Sequence, residues 1–382
     1  MAAKGLRLPT RSRRIGKACR EYLGKEKAAG AGMSRVLPEL ALTMLIGTVG
    51  GLIARSLHLP LGLLLGSILA VGLAAMLNAR VGGIGLGFPQ ALRNLFVPII
   101  GVAIGAAFTP EVLRQMPGWW ISLLALLVYI PVAHGAGYVI YRRGGLPKAE
   151  AFFGAVPGGL IESVVLGEEA GADARTLILL QFLRLILTII AVPVIFLMLT
   201  GHAVGSAAGA QMGGSGVPLR LWDVAVLLLA GGVGYLIGRV LHFPAAIMTG
   251  PILASAVVHL MGWSAAVPPG WAVGTTQVVL GSALGARFAG IGRAELARAV
   301  WLATISVGVA LILAFVFAFA VAGLVGQPVT AGFLAFAPGG LAEMSLIALS
   351  LKVGAVYVAV HHVVRIVVSV TVARMGVRWI RE

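Results

Sequence analysis

The chain has 382 residues, 59% of them hydrophobic and only 11% charged, and its mean hydropathy is +1.00. Soluble domains carry roughly 25% charged residues, so a water-soluble globular protein is excluded. The net charge of +16 does not indicate nucleic-acid binding either: ten of the 29 Lys and Arg residues precede residue 36, in a stretch with one aromatic residue, Tyr22, and no recognition motif.

Residues 1–36 form a basic N-terminal tail that can be read in two ways. It is a disordered cytoplasmic anchor obeying the positive-inside rule, or it is untranslated and Met33 is the start. It is not a secretory signal, because no apolar core directly follows the basic part. Cys19, the one cysteine of the chain, lies in this tail. The remainder therefore holds no disulfide, thiolate metal site or cysteine nucleophile.

Long apolar runs follow at Leu37–Leu57, Leu61–Leu77, Trp119–Tyr141, Leu177–Leu199, Val224–Leu241, Ala299–Leu324 and Val356–Val370. Runs of about 18 residues or more predict membrane helices. A β-barrel would instead show short alternating segments. The fold class is thus an all-α polytopic membrane protein.

The runs repeat. Arg55-x-x-His58-x-Pro60 recurs as Arg239-x-x-His242-x-Pro244, and Gly101-x-x-x-Gly105-x-x-Phe108 as Gly281-x-x-x-Gly285-x-x-Phe288. Pro157-Gly158-Gly159 with Glu162 and Arg184 recurs as Pro338-Gly339-Gly340 with Glu343 and Arg365; offsets stay between 180 and 184. This implies two homologous halves, a first membrane repeat at 37–200 and a second at 221–376. Between them lies a Gly/Ala/Ser-rich linker at 201–220, and a short tail, 377–382, ends the chain.

The Pro-Gly-Gly segments decide the symmetry. If they span, each half crosses six times and the halves are parallel. If they enter and return, each half has about five spanning helices plus a re-entrant segment, and the halves are inverted. With the N-terminus inside and the tail set aside, inversion leaves only Arg55, Arg114, Arg220 and Lys352 in outside loops, against twelve Lys and Arg inside. The parallel arrangement splits them nine to seven. The positive-inside rule therefore favours inverted repeats, with both termini cytoplasmic.

Proline and two glycines break a helix, and the freed backbone groups cannot face lipid. Such backbone either is a packing kink or lines a substrate cavity near the midplane. Two breaks, each followed by a glutamate five residues after the proline, favour the cavity. If Gly171-Ala172-Asp173 and Gly354 are hairpin tips, each Glu and Arg lies about 16 Å from its tip and the two can pair. In one reading the glutamates bind a cation or proton and the arginines an anionic group. In the other, each pair is structural and ties the broken segment to the next helix. His362, at the register of Gln181, is a proton relay or a satisfied interior residue, as is His361. Asp173 reads as a loop residue, the Gly-x-x-x-Gly pairs as close helix contacts, and Trp119 and Trp120 as an interfacial belt. Neither a metal-ligand cluster nor a phosphate-binding loop is present, so no cofactor and no enzyme activity are expected.

With Pro157-Gly158-Gly159-Leu160-x-Glu162, Gly171-Ala172-Asp173-Ala174-Arg175 and Gln181-x-x-Arg184, the chain resembles the AbrB-type duplicated membrane protein family over nearly all of 37–376. In the second half Lys352-Val353-Gly354 replaces the Gly-Ala-Asp sequence. Members of that family are labelled ammonia monooxygenases, regulators of gene expression or transporters. The missing metal cluster argues against the first label, and the lack of a DNA-binding domain against direct regulation. The expectation is a secondary transporter of a small solute in the bacterial inner membrane, driven by a coupling ion or proton. Its partners would be the lipid bilayer and that solute, not nucleic acid, and an oligomer is left open. The site would be Pro157, Gly158, Gly159, Glu162, Arg184, Pro338, Gly339, Gly340, Glu343, His362 and Arg365. The alternative is a membrane sensor that affects gene expression without transport.

Overall fold

The computed structural model describes residues 33–59, 61–200, 219–289 and 293–381. The expected tail up to residue 32, Pro60 of the first Arg-x-x-His-x-Pro turn, and linker residues 201–218 lie outside the described residues. The described residues are helical, apart from turns and one isolated bridge between Val81 and Ile84.

The first half contains α1 (Met33–Ser56), α2 (Gly62–Met76), α3 (Gln90–Gly105), α4 (Pro110–Gln115), a 3-10 turn (Met116–Trp119), α5 (Trp120–Arg143), α6 (Lys148–Gly154), α7 (Leu160–Glu169) and α8 (Ala174–Thr200). The second contains α9 (Leu221–Val240), α10 (Ala246–Leu260), α11 (Gly270–Gly285), a 3-10 turn (Ala286–Phe288), α12 (Arg293–Val325), α13 (Val329–Phe336), α14 (Leu341–Leu351) and α15 (Ala355–Arg381). Helices α1, α5 with the turns before it, α8, α9, α12 and α15 are long and apolar enough to cross a bilayer. Proline supplies matching starts, with Pro89 and Pro269 capping α3 and α11, and Pro147 and Pro328 capping α6 and α13. Its fixed φ and missing N–H cost nothing there. Helix α15 runs through to Arg381, so residues 377–381 are helical where a tail was expected.

The two sets of elements follow the same order, and α5 and α12, which hold the same place in each, run in opposite directions. Arg298 at the start of α12 donates to the Gly144 carbonyl just past the end of α5, at 2.6 Å. Gln327 beyond the end of α12 bonds Gln115 before the start of α5, at 3.2 Å. Midway, the Tyr129 hydroxyl donates to the carbonyl of Ala310, 181 positions on. These three contacts can coexist only if α5 and α12 are antiparallel.

Helices α1–α3 and α9–α11 form one bundle, and α5–α8 with α12–α15 form another; α3 meets α14 and α15, and α2 meets α8, across the boundary. Glycine sets the close approaches in the first bundle. A Cβ on Gly66 would lie 2.2 Å from the Gly50 carbonyl oxygen, and one on Gly250 2.0 Å from that of Gly234. Gly101 and Gly105 of α3 pack on α10, and Gly281 and Gly285 of α11 pack on α2. The Gly-x-x-x-Gly pairs thus join each half to the other, backbone against backbone.

Candidate functional site

Each Pro-Gly-Gly segment enters the second bundle and turns back. In the first half the Asp173 N–H donates to Glu150 Oε1 at 3.1 Å, so the start of α6 and the start of α8 lie on one face. The antiparallel arms α6 and α7 touch where Phe153 meets Gly167. In the second half Gly354, after α14, lies against Gln327 and Ala331 at the start of α13. Both hairpins are re-entrant, and they enter from opposite faces.

Asp173 is more than a loop residue. Its Oδ2 accepts the Thr176 backbone N–H at 2.8 Å and the Thr176 hydroxyl at 2.7 Å, capping α8. Asp173→Ala is expected to cost about 1 kcal/mol. The Thr176 side-chain and backbone bonds hold the carboxyl below its ordinary range. Its stabilisation is therefore full above the unfolded carboxylate pKa, about 4, and fades as pH falls through the lower folded value. Unfolding of the wild type and the variant in detergent should differ at pH 7 and converge in acid.

At the hairpin tips the backbone carbonyls that end α6 and α13 have lost their helical partners, and buried side chains of the next helix replace them. Gln181 Nε2 donates to the carbonyls of Phe153 at 2.9 Å, Gly154 at 3.3 Å and Val156 at 3.3 Å. Arg184 Nη1 also donates to the Val156 carbonyl. In the second half, His362 Nε2 meets the Leu334 carbonyl at 2.9 Å, while Arg365 donates to the carbonyls of Ala337 and Gly339. Arg365 Nη2 also contacts His362 Nδ1 at 3.0 Å. The guanidinium can only donate, so Nδ1 is the acceptor and the imidazole carries its proton on Nε2. Phe153 and Leu334, and Val156 and Ala337, are each 181 positions apart, so the two tips use one design.

The glutamate–arginine pairing expected from the sequence does not form. Among the described residues no ion pair joins Glu162 to Arg184 or Glu343 to Arg365. The reason is directional. The carbonyl end of each entering arm faces the arginine, whereas each glutamate sits in the first turn of the returning arm and folds back on its own start. Glu162 Oε2 lies 3.3 Å from a Cβ placed on Gly159, and Glu343 Oε2 only 2.0 Å from one on Gly340. A Cβ on Gly340 would only displace the flexible Glu343 carboxylate, whereas Gly159 is favoured by its φ of +67°. The arginines still tie each broken segment to the next helix, but through backbone carbonyls.

Pro157, Gly158, Pro338 and Gly339 are buried, and Gly159 and Gly340 half-buried. Arg184, Glu343, His362 and Arg365 are buried, whereas Glu162 is exposed. The two guanidinium groups lie within electrostatic reach of each other and of the buried Tyr129. Gly158 touches the Arg365 carbonyl and the Ser369 hydroxyl, so the first tip rests on the helix that serves the second. Arg365 Nε, Arg184 Nε, Gln181 Oε1 and Ser369 Oγ are buried with no protein partner. The structure thus brings the two hairpin tips together with Arg184 of α8 and Arg365 of α15, and leaves each glutamate on its own returning arm.

His361 is satisfied in the interior, bonded to the Tyr357 carbonyl at 2.8 Å and the Ser122 hydroxyl at 2.9 Å. Trp119 departs from the expected belt: it is buried edge-on to Tyr357, while Trp120 faces outward. Sequence reasoning passed over Glu150 and gave Gln181 no role in the site. Gln181 could have been found from Gln-x-x-Arg matching His-x-x-Arg. Glu150 has no acidic counterpart, since Ala331 stands at its register.

The family model described as "Transition state regulatory protein AbrB" matches residues 63–381. A protein of Bacillus subtilis (strain 168) named "Uncharacterized protein YhjN" is 27% identical over 342 residues, covering 85% of this chain and 88% of that protein. A protein of Escherichia coli (strain K12) named "Putative regulator AbrB" is 26% identical over 234 residues, covering 61% of this chain and 65% of that protein.

Proposed function

Since the chain belongs to the AbrB family, we propose that it is a secondary transporter of a small solute, coupled to an ion or proton. The carrying observation is the pair of oppositely directed re-entrant hairpins whose tips are held by Arg184 and Arg365. Oppositely oriented halves with broken helices near the midplane suit alternating access, in which one bundle rocks against the other. The thin contact between the bundles, through α3 and α2, supports such motion. The breaks, with Glu162 and Glu343 at the start of the returning arms, form the solute and coupling-ion site. In this reading the face bearing Arg142, Arg143, Lys148 and Arg298 is cytoplasmic, and the protein lies in the bacterial inner membrane.

The test is solute uptake by purified protein in liposomes loaded with a pH-sensitive dye. The Glu162→Gln/Glu343→Gln double variant should lose its ion- or proton-coupled flux. Flux equal to wild type in that variant sinks the mechanism. The second reading is a membrane sensor that affects gene expression without transport. It is favoured by the regulator named among the relatives, and a gene-expression effect that persists when flux is abolished would select it.

A further inference from the structure

Two like charges lie buried at the hairpin tips. Arg184 and Arg365 are within electrostatic reach of each other; the other groups acting on them are Tyr129 and Tyr141, whose hydroxyls carry no charge at neutral pH. Among the described residues the buried carboxylates are Glu150, Asp223 and Glu343. Each is engaged elsewhere. Glu150 accepts the Asp173 N–H, Asp223 accepts from the Arg220 N–H and the Ser264 hydroxyl, and Glu343 folds onto Gly340 within reach of Arg93. The tip carbonyls solvate the guanidinium groups but cancel none of their charge. A charge held inside a membrane is costly until it is paired, and a second of the same sign beside it adds repulsion.

The hydrogen-bonding groups left over at the tips have a pattern of their own. The Arg184 and Arg365 Nη groups serve carbonyls, but the Nε of each is buried without a protein acceptor. Ser369, one turn after Arg365 on the same face of α15, faces Gly158 of the first tip, and its Oγ is likewise unpartnered. Its counterpart 181 positions earlier, Thr188, instead bonds back to the Arg184 carbonyl at 2.8 Å. One acceptor also remains. Gln181 Nε2 donates to three carbonyls, so its amide oxygen points the other way, buried and without a donor. A Cβ on Gly158 would lie 3.2 Å from Ser369 Oγ, so only a small head group fits there.

We infer that the two hairpin tips together bind one small carboxylate that carries its own hydrogen-bond donor, of the 2-hydroxy acid kind. Its carboxylate takes the Nε–H groups of Arg184 and Arg365 and the Ser369 hydroxyl, and its own hydroxyl donates to Gln181 Oε1. Guanidinium N–H groups and a hydroxyl are the donors a carboxylate needs, and a charge-assisted bond made away from water is strong. The lone acceptor favours a hydroxylated acid over a bare one, because a buried polar group left unpaired is costly. That this acid is the carried solute rests on the transport reading; that it binds does not.

The test uses the full chain in phosphatidylcholine nanodiscs and equilibrium dialysis of radiolabelled glycolate, acetate and the neutral glycolamide. Glycolate should bind, acetate more weakly, and glycolamide not at all. Ser369→Ala should weaken glycolate binding roughly tenfold or more, the loss of one hydrogen bond to a charged group. The same change should leave the melting temperature where it was, since this hydroxyl holds nothing else in the protein; a merely structural serine would give the opposite pair of results. Arg184→Gln is the second variant, because Gln181 still donates to the Val156 carbonyl in its place. Ser56→Ala, whose hydroxyl bonds the Ile53 carbonyl in an exposed turn, should change nothing. The inference is overturned if glycolate does not bind, if acetate or glycolamide binds as tightly, or if the folded Ser369 and Arg184 variants bind as wild type. Glycolate that binds but is not carried into liposomes would count against the transport reading and leave the site standing. Ion- or proton-coupled uptake of a neutral or cationic solute, with no glycolate bound, would overturn the site and leave that reading standing.

Discussion

Arg365→Leu is expected to destabilise the protein by about 1–3 kcal/mol, since the Gly339 carbonyl would lose its donor in a water-poor interior, while the Ala337 carbonyl would keep the Gly339 N–H at 2.8 Å. His362 Nδ1 would also lose the proton it accepts. The corresponding change in the first half should be milder. Arg184 donates to Val156 alone among the contacts seen, and Gln181 donates to the same carbonyl. Thermal unfolding in detergent should therefore rank wild type above Arg184→Leu above Arg365→Leu. Arg365→Lys should recover only part of the loss, because one ammonium cannot reproduce a fork reaching two carbonyls. A melting temperature unchanged by Arg365→Leu would show that the hairpin tip does not depend on this cap.

Gly250→Ala is the second large effect. The added methyl would sit 2.0 Å from the Gly234 carbonyl oxygen and 2.7 Å from its carbonyl carbon, and neither belongs to a side chain that can swing away. Helices α9 and α10 would have to part along their length. Overpacking typically costs about 1–3 kcal/mol, and a backbone-to-backbone clash belongs at or above the upper end. Gly232→Ala, on the same α9, is the control: a Cβ there meets nothing within 4 Å. It should be neutral, or stabilising by up to about 1 kcal/mol through helix propensity. Equal melting temperatures for the two variants would refute the close approach.

These contrasts show where the sequence was legible. Pro157-Gly158-Gly159 and Pro338-Gly339-Gly340 announced broken helices because proline and glycine act on the backbone locally, whatever surrounds them. The Gly-x-x-x-Gly pairs announced close packing for the same local reason. The glutamates were harder to read. Their spacing from Arg184 and Arg365 suggested contact, but the position of a charge along a helix does not say which arm of a hairpin faces it. Trp119 and Trp120 make the same point: adjacent in sequence at the start of α5, one is buried and the other faces outward.

What the sequence determined alone was the membrane class, the placing of the breaks and the matched positions of the two halves. Each follows from local demands that hydrocarbon makes on any chain, namely apolar length and backbone groups closed within the protein. Tertiary structure alone decided that the arginines serve carbonyls rather than carboxylates and that Gln181 joins them at the first tip. Those outcomes depend on which residues far apart in the chain come within hydrogen-bonding distance, and no local pattern of residue types encodes that.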